Sequence, residues 1–353
     1  MERTDTIREQ VSEYYGKVLA NRDDLKTGAC CSTESLPRAH REVLGMLDDE
    51  VLNRFYGCGS PIPPAIENCT VLDLGCGSGR DVYLASYLVG AGGSVIGIDM
   101  TEEQLVVARR HVHTQTRRFG YETPNIDFRL GTIEDLAAVG IGDNSIDVVI
   151  SNCVINLSPD KERVLAEVFR VLKPGGELYF SDIFANRRVP GSLRTDPVLH
   201  GECLGGAMYI EDFRRLLRKL GCLDYRVVSN GGVPLKDPAI KAKVGMIDFH
   251  SVTIRAFKLG DLEDICEDYG QTATYLGTMA GYPDRFALDD HHLFITGRPM
   301  RVCGNTAAMV GGTRFARHFR VEGDTSVHLG PFDCGPATRN DVEGNHCVGS
   351  SCC

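Results

Sequence analysis

From Thr70 onward the chain alternates between two hydrophobic periods. Short apolar runs at Thr70–Leu74, Ser94–Ile98, Ile126–Leu130, Ile146–Ile150, Glu177–Ser181 and Tyr225–Val228 read as strands. Between them, Asp81–Val89, Thr101–Gln115, Lys161–Leu172 and Ile210–Leu220 carry apolar residues at helical spacing, and Lys173-Pro174-Gly175-Gly176 predicts a stop to the third of these. Strands alternating with helices imply an α/β fold, a mostly parallel sheet with helices on both faces. In such sheets ligands bind beyond the carboxyl ends of the strands, so the residues just after each strand are the ones to read for chemistry. Upstream, Ile7, Val11, Tyr14, Tyr15 and Val18 predict a helix over 5–20 and a second is expected at Pro37–Leu47, before a Gly/Pro-rich loop from Tyr56 to Pro64. Downstream, Ser251–Leu259 is one more β-like run, and His292–Thr296 and Arg317–Val321 are expected strands of a smaller C-terminal α+β unit. The pattern divides the chain at 1–65, 66–260, 261–330 and 331–353, the last rich in Gly, Asn, Ser and Cys and read as a disordered tail.

Composition narrows the class of partner. A length of 353 residues exceeds one ordinary core and fits two units. The net charge is -10 and the Lys and Arg residues are scattered, which argues against a nucleic-acid partner. No apolar run reaches the roughly 18–20 residues that span a bilayer, and Met1-Glu2-Arg3-Thr4-Asp5 does not open a secretory-type segment, so a cytoplasmic protein is expected, and a monomer. The 14 cysteines include no Cys-x-x-Cys pair, which excludes the common zinc patterns, and the chain is too long for a small disulfide scaffold. Reduced thiols in this number invite a thiol function for some of them. Cys69, Cys222 and Cys266 read as small buried hydrophobes.

The first strand runs into Asp73-Leu74-Gly75-Cys76-Gly77-Ser78-Gly79-Arg80-Asp81. Glycines at alternate positions let a backbone turn tightly and approach a ligand. The third glycine comes one residue too early for a dinucleotide fingerprint, and Arg80 takes its place. The loop instead looks like that of class I methyltransferases, which wraps the methionine half of S-adenosylmethionine. Asp99 lies 24 residues past Gly75, at the end of the second strand, where a carboxylate can accept from both ribose hydroxyls. After the third strand, in Gly131-Thr132-Ile133-Glu134-Asp135, an acidic residue can accept the adenine amino group, with Met100 and Ile133 on either side of the ring.

No strong candidate base follows the fourth strand, which ends Ser151-Asn152-Cys153-Val154-Ile155-Asn156-Leu157 and puts a thiol at the mouth of the cofactor site. Two further cysteines sit among glycines, in Tyr56-Gly57-Cys58-Gly59 and Gly201-Glu202-Cys203-Leu204-Gly205-Gly206, and small neighbours are expected to leave them accessible. With Asp24-Leu25-Lys26-Thr27 and Cys30, the Gly97–Thr101 and Gly175–Asp182 stretches, and Phe249–Leu259, these pieces resemble the arsenite methyltransferase family over about residues 7–260. The pairing of the Ser151–Leu157 and Gly201–Ala207 motifs is the most specific part of the likeness.

The resemblance implies methyl transfer from S-adenosylmethionine to trivalent arsenic, with arsenite and methylarsenite as substrates and arsenic detoxification as the outcome. It implies that Cys58, Cys153 and Cys203 hold As(III) as thiolates, a soft donor set for a soft centre. It also implies Cys30 as the partner in a disulfide formed when arsenic is re-reduced, with adjacent Cys31 the alternative and a thiol such as glutathione or thioredoxin reopening the bond. Tyr56, Met100, Thr132, Ile133, Glu134 and Asn152 carry over as cofactor neighbours, beside Asp73, Gly75, Gly77 and Asp99; Cys76 carries no ligand role. The tail cysteines Cys347, Cys352 and Cys353 either capture arsenic or are dispensable. Two other readings stay open at this point. One is a class I methyltransferase acting on carbon or nitrogen of another small molecule, with incidental cysteines. The other is a non-catalytic thiol sensor.

Overall fold

The computed structural model describes residues 36–57 and 60–334. The expected helix over 5–20, Cys30, Cys31, Cys58 and the tail beyond Cys334 lie outside the described residues. A central sheet takes the order β3-β2-β1-β4-β5-β8-β7, from β1 (Thr70–Leu74), β2 (Ser94–Asp99), β3 (Ile126–Leu130), β4 (Ile146–Asn152), β5 (Leu172–Ala185), β7 (Tyr225–Gly232) and β8 (Phe249–Phe257). The two-residue β6 (Met208–Tyr209) pairs with the end of β5. β1 to β5 run parallel, while β8 is antiparallel to both of its neighbours. The sequence order reverses between β1 and β4, which opens a crevice at their carboxyl ends. Val71, Leu72, Val148 and Val149 are fully buried because helices cover both sheet faces, as the near-continuous apolar runs of parallel strands require.

Two expectations shift. The helix expected over Thr101–Gln115 is two, Glu102–Arg110 and Val112–Arg118, meeting at His111. Glu50 receives Arg110 at 2.7 Å and His111 at 2.8 Å, so a tertiary ion-pair cluster sits at the break. Lys173-Pro174-Gly175-Gly176 ends the preceding helix at Val171 but does not delay the strand, since β5 begins at Leu172. Gly175 takes φ +77° within that strand and its N–H donates to the Lys258 carbonyl at 2.8 Å.

The C-terminal unit has its own core. β9 (Thr272–Tyr275) is flanked by β12 (Pro299–Arg301) and β13 (Phe319–Glu322), beside a β10–β11 hairpin (Arg285–Ala287, Leu293–Ile295) and the helix Gly304–Gly311. Phe286, Phe294, Phe315, Phe319 and Tyr275 pack ring against ring between them. The expected strands were His292–Thr296 and Arg317–Val321; the second starts later because Arg314–His318 forms a 3₁₀ turn. Residues 331–334 of the expected tail are tied down: Pro331 bridges to Glu267, and the Phe332 N–H donates to the Cys266 carbonyl at 2.8 Å.

The seam between this unit and the sheet is ionic. Glu177 on β5, fully buried, pairs with Arg255 of β8 at 2.7 Å and with Arg314 of the C-terminal unit. The Arg255 guanidinium lies over Tyr179 at 5.2 Å and Phe315 at 5.3 Å, and donates to the Leu288 carbonyl at 2.6 Å. Removing the acid from such a cluster leaves the buried Arg255 and the partly buried Arg314 without their shared carboxylate, at a cost of roughly 3–5 kcal/mol. Glu177→Gln is therefore expected to lower unfolding free energy by about that amount in urea titrations. A loss below about 1 kcal/mol would show that the seam is held by the aromatic packing instead.

Candidate active site

The loop after β1 is shaped by its glycines and anchored by one carboxylate. Gly75 (φ +70°) and Gly77 (φ +52°) are left-handed; a Cβ on Gly75 would lie 2.4 Å from the Val154 side chain. The N–H groups of Gly75 and Cys76 donate to the Ile98 carbonyl at 2.8 and 2.9 Å, fastening the loop to β2. Asp99, at the end of β2, accepts from the Gly77 N–H at 2.9 Å through one oxygen and from the Thr101 N–H at 2.8 Å through the other. Burial pushes the Asp99 carboxyl up while these donors oppose it.

This loop forms one wall of a cleft of about 960 Å³ at the carboxyl ends of β1, β2 and β4. Tyr56, Asp73, Gly75, Gly77, Asp99, Met100, Thr132, Ile133, Glu134 and Asn152, all expected as cofactor neighbours, line it together with Cys153. Where a Cβ would stand on Gly77 there is no atom within 4 Å, so a ligand can lie against that backbone. Apolar walls from Met100 and Ile133 with acceptors at Asp99 and Glu134 fit an adenosine carrying a short polar tail, the form of S-adenosylmethionine. Glu134 also accepts from the Ser158 hydroxyl at 2.6 Å.

Sequence reasoning passed over the polar floor of the cleft. Asn152 donates to Asp81 at 2.9 Å, and Asp81 accepts from Arg80 at 2.8 and 2.6 Å. The guanidinium of Arg80 lies over the Phe55 ring, 3.1 Å from its centroid. The signal was present: Arg80 and Asp81 directly follow the glycine loop, where charged residues at the start of a buried helix need partners.

Two of the three expected arsenic ligands are brought together. Cys153 directly follows β4 with φ +56°, its N–H donating to the Ser181 carbonyl at 2.8 Å. Cys203 has φ +67°, and its thiol donates to the Cys153 carbonyl at 3.0 Å. Their sulfurs and the Asp182 carboxylate lie within 4.8 Å of one another. Left-handed backbone at a residue with a side chain costs roughly 1–3 kcal/mol and concentrates at functional sites. Cys153 is disulfide-bonded.

One expectation about Cys203 is corrected. Its glycine neighbours do not expose it; it is 0% accessible. They let its loop dock instead: a Cβ on Gly206 would stand 2.0 Å from the Asn156 carbonyl oxygen, and one on Gly205 2.9 Å from the His200 N–H nitrogen. Asn156 is the hub of this docking, donating from its N–H (3.0 Å) and side chain (2.7 Å) to Asp182. Burial pushes the Asp182 carboxyl up to about 7. Burial also pulls the nearby Lys161 ammonium down to about 8, with Asp182 and Cys203 opposing. Cys76 faces the loop interior, its thiol pushed well up by burial, and Cys222 is pushed up to about 12 the same way. Cys266, expected to be a lone buried hydrophobe, instead meets Cys303 and Cys334.

Comparison with known proteins places this geometry. Residues 66–221 match a methyltransferase-domain family and residues 269–353 an arsenite methyltransferase C-terminal domain family. The arsenite methyltransferase of Aquipseudomonas alcaligenes is 51% identical over 98% of this chain and 100% of its own length. The Homo sapiens arsenite methyltransferase is 40% identical over 90% of this chain and 84% of its own. The crystal structure of CrArsM, an arsenic (III) S-adenosylmethionine methyltransferase from Chlamydomonas reinhardtii, superposes with a TM-score of 0.82 at 51% identity, covering 85% of this chain and all of that one. The fold, the cleft and these relatives agree: the chain belongs to the arsenite methyltransferase family.

Proposed function

We propose that this S-adenosylmethionine-dependent arsenite methyltransferase holds its substrate on the thiolates of Cys58, Cys153 and Cys203. The observation that carries the reading is the meeting of Cys153 and Cys203, 50 residues apart, in left-handed backbone at the edge of the cleft. Three thiols exchange with the three hydroxides of arsenite, releasing water and leaving arsenic trivalent with its lone pair free. S-adenosylmethionine bound in the cleft supplies a sulfonium methyl carbon for that lone pair, and the transfer leaves arsenic formally pentavalent. Asp99 holds the ribose end, Glu134 the adenine, and the Gly75–Gly77 backbone the methionine end. Cys153 belongs to both sites, lining the cleft and contacting Cys203. Fixing both reactants at one place is worth up to roughly 7–11 kcal/mol.

In this reading two electrons return to arsenic from thiols. Cys30 closes a disulfide with a ligand cysteine, with Cys31 as the alternative, and an external thiol such as glutathione or thioredoxin reopens it. That Cys153 is itself disulfide-bonded supports such a cycle. The chemistry needs a compartment that keeps thiols reduced, which the cytoplasm does, and nothing in it requires more than one chain. Residues 66–260 carry the transfer, and 261–330 form a unit buttressing the sheet.

Incubation of the purified protein with arsenite, S-adenosylmethionine and glutathione, followed by arsenic speciation, tests the activity. Cys153→Ser and Cys203→Ser are each expected to abolish methylation of arsenite and methylarsenite. Cys58→Ser is expected to lose inorganic arsenite first, because a methylated acceptor needs only two sulfurs. Continued turnover by Cys153→Ser would end the three-thiolate reading. Asp99→Ala is expected to raise the KM for S-adenosylmethionine at least about tenfold, since a charged acceptor contributes roughly 1.5–3 kcal/mol. An unchanged KM would remove Asp99 from the ribose.

The raised Asp182 carboxyl has a sign that stability measurements can read. Unfolded, it ionises near 3.8; folded, it keeps its proton to about 7. The folded state therefore holds the extra proton between those values, and stability falls as pH rises through that window. Asp182→Asn, which cannot titrate, is expected to flatten this limb of a Tm-against-pH profile even if its absolute Tm is lower. A limb of unchanged slope would assign the pH dependence to other groups.

A further inference from the structure

Away from the cleft, three cysteines from three segments of the C-terminal unit meet. The sulfurs of Cys266, Cys303 and Cys334 all lie within 4.8 Å of one another, and none of the three lines the cleft. None of the three is in a disulfide. Backbone hydrogen bonds hold the segments in place: the Gly304 N–H donates to the Glu267 carbonyl at 2.9 Å, and the Phe332 N–H to the Cys266 carbonyl at 2.8 Å. The convergence is therefore built by the fold rather than by the sulfurs.

The surroundings favour a thiolate. Cys303 caps the helix Gly304–Gly311, its sulfur accepting from the Thr306 N–H at 3.4 Å, and Arg226 donates to the same sulfur at 3.9 Å. Cys266 and Cys303 are buried and Cys334 is half-buried, so the cluster has one face toward solvent.

The converging donors are three sulfurs from three segments. Three soft thiolates match a trivalent, lone-pair-bearing thiophile, one bond to each sulfur.

We propose that Cys266, Cys303 and Cys334 form a second trivalent-arsenic site, which holds arsenite away from the methyl donor. Binding breaks three As–O and three S–H bonds and forms three As–S and three O–H bonds. Three waters leave, arsenic stays trivalent, and no oxidant or reductant takes part. The inference depends on the arsenite activity only for the identity of the thiophile, since the cluster shares no residue with the transfer site.

The test uses the reduced full-length protein carrying Cys58→Ser, Cys153→Ser and Cys203→Ser, with arsenite alone as the probe. Native mass spectrometry is expected to find arsenic retained, and X-ray absorption at the arsenic edge to find three sulfur neighbours. Arsenite is also expected to protect Cys334 from alkylation. Adding Cys334→Ser or Cys303→Ser is expected to weaken this binding at least about tenfold, while S-adenosylmethionine binding, followed by calorimetry, stays unchanged as the control for folding. Three outcomes would overturn the proposal: no arsenic on the triple variant; arsenic that survives Cys303→Ser but is lost when Cys347, Cys352 and Cys353 become serine; or stoichiometric zinc that arsenite does not displace. Methyl transfer by Cys334→Ser in the otherwise native chain reports separately on the first site.

Discussion

The hydrogen bond from the Cys203 thiol to the Cys153 carbonyl joins two loops that share no secondary structure. It is possible only because both residues accept left-handed backbone, and because Gly206 brings its loop to within contact of the Asn156 carbonyl. Asn156 in turn spans to Asp182, fixing the second loop to β5. The same turn at Cys153 puts that residue into the wall of the cofactor cleft. Transfer between a bound metalloid and a bound sulfonium requires their sites to abut, and in the function proposed above Cys153 belongs to both.

The cleft sits where chain topology dictates. Every expected cofactor neighbour lines the cleft, and each stands near a strand's carboxyl end or in a loop facing those ends. β1 has the expected limits because a buried parallel strand is a near-continuous apolar run bounded by turn residues; β3 keeps its limits as an edge strand that alternates apolar and polar positions and buries Phe128. What local pattern could not convey was tertiary. The break at His111 coincides with a glutamate about 60 residues earlier, Glu50, and Lys173–Gly176 enters β5 because neighbouring strands accept its backbone. The accessibility expected of Cys203 failed for a related reason. Glycine beside a cysteine signals close approach, but sequence does not say whether a ligand or another stretch of backbone approaches. The Cys266 cluster was invisible for the simplest reason, since its members lie 37 and 31 residues apart with no motif linking them.

The C-terminal unit is fastened through charge rather than through an apolar face alone. Glu177 lies on β5, the strand that also carries Asp182, so the ionic seam and the cysteine loops share one structural element. Arg255 answers Glu177 on one side and the aromatic core of the C-terminal unit on the other. Such a cluster adds little net stability over an apolar equivalent, but it penalises misregistered docking heavily. Such a cluster suits specificity of arrangement more than strength.

The depth of Cys203 has a kinetic corollary. With no accessible surface of its own, it lies behind Cys153, which faces the cleft. In the function proposed above, an incoming metalloid hydroxide meets the outer sulfur before the inner one, and its bonds form in sequence, like a latch closing from the rim inward. Departure must retrace that path. Residence time on the protein is then governed by the slow reopening of the innermost bond, which gives a buried thiol command over how long a toxic ion stays captured.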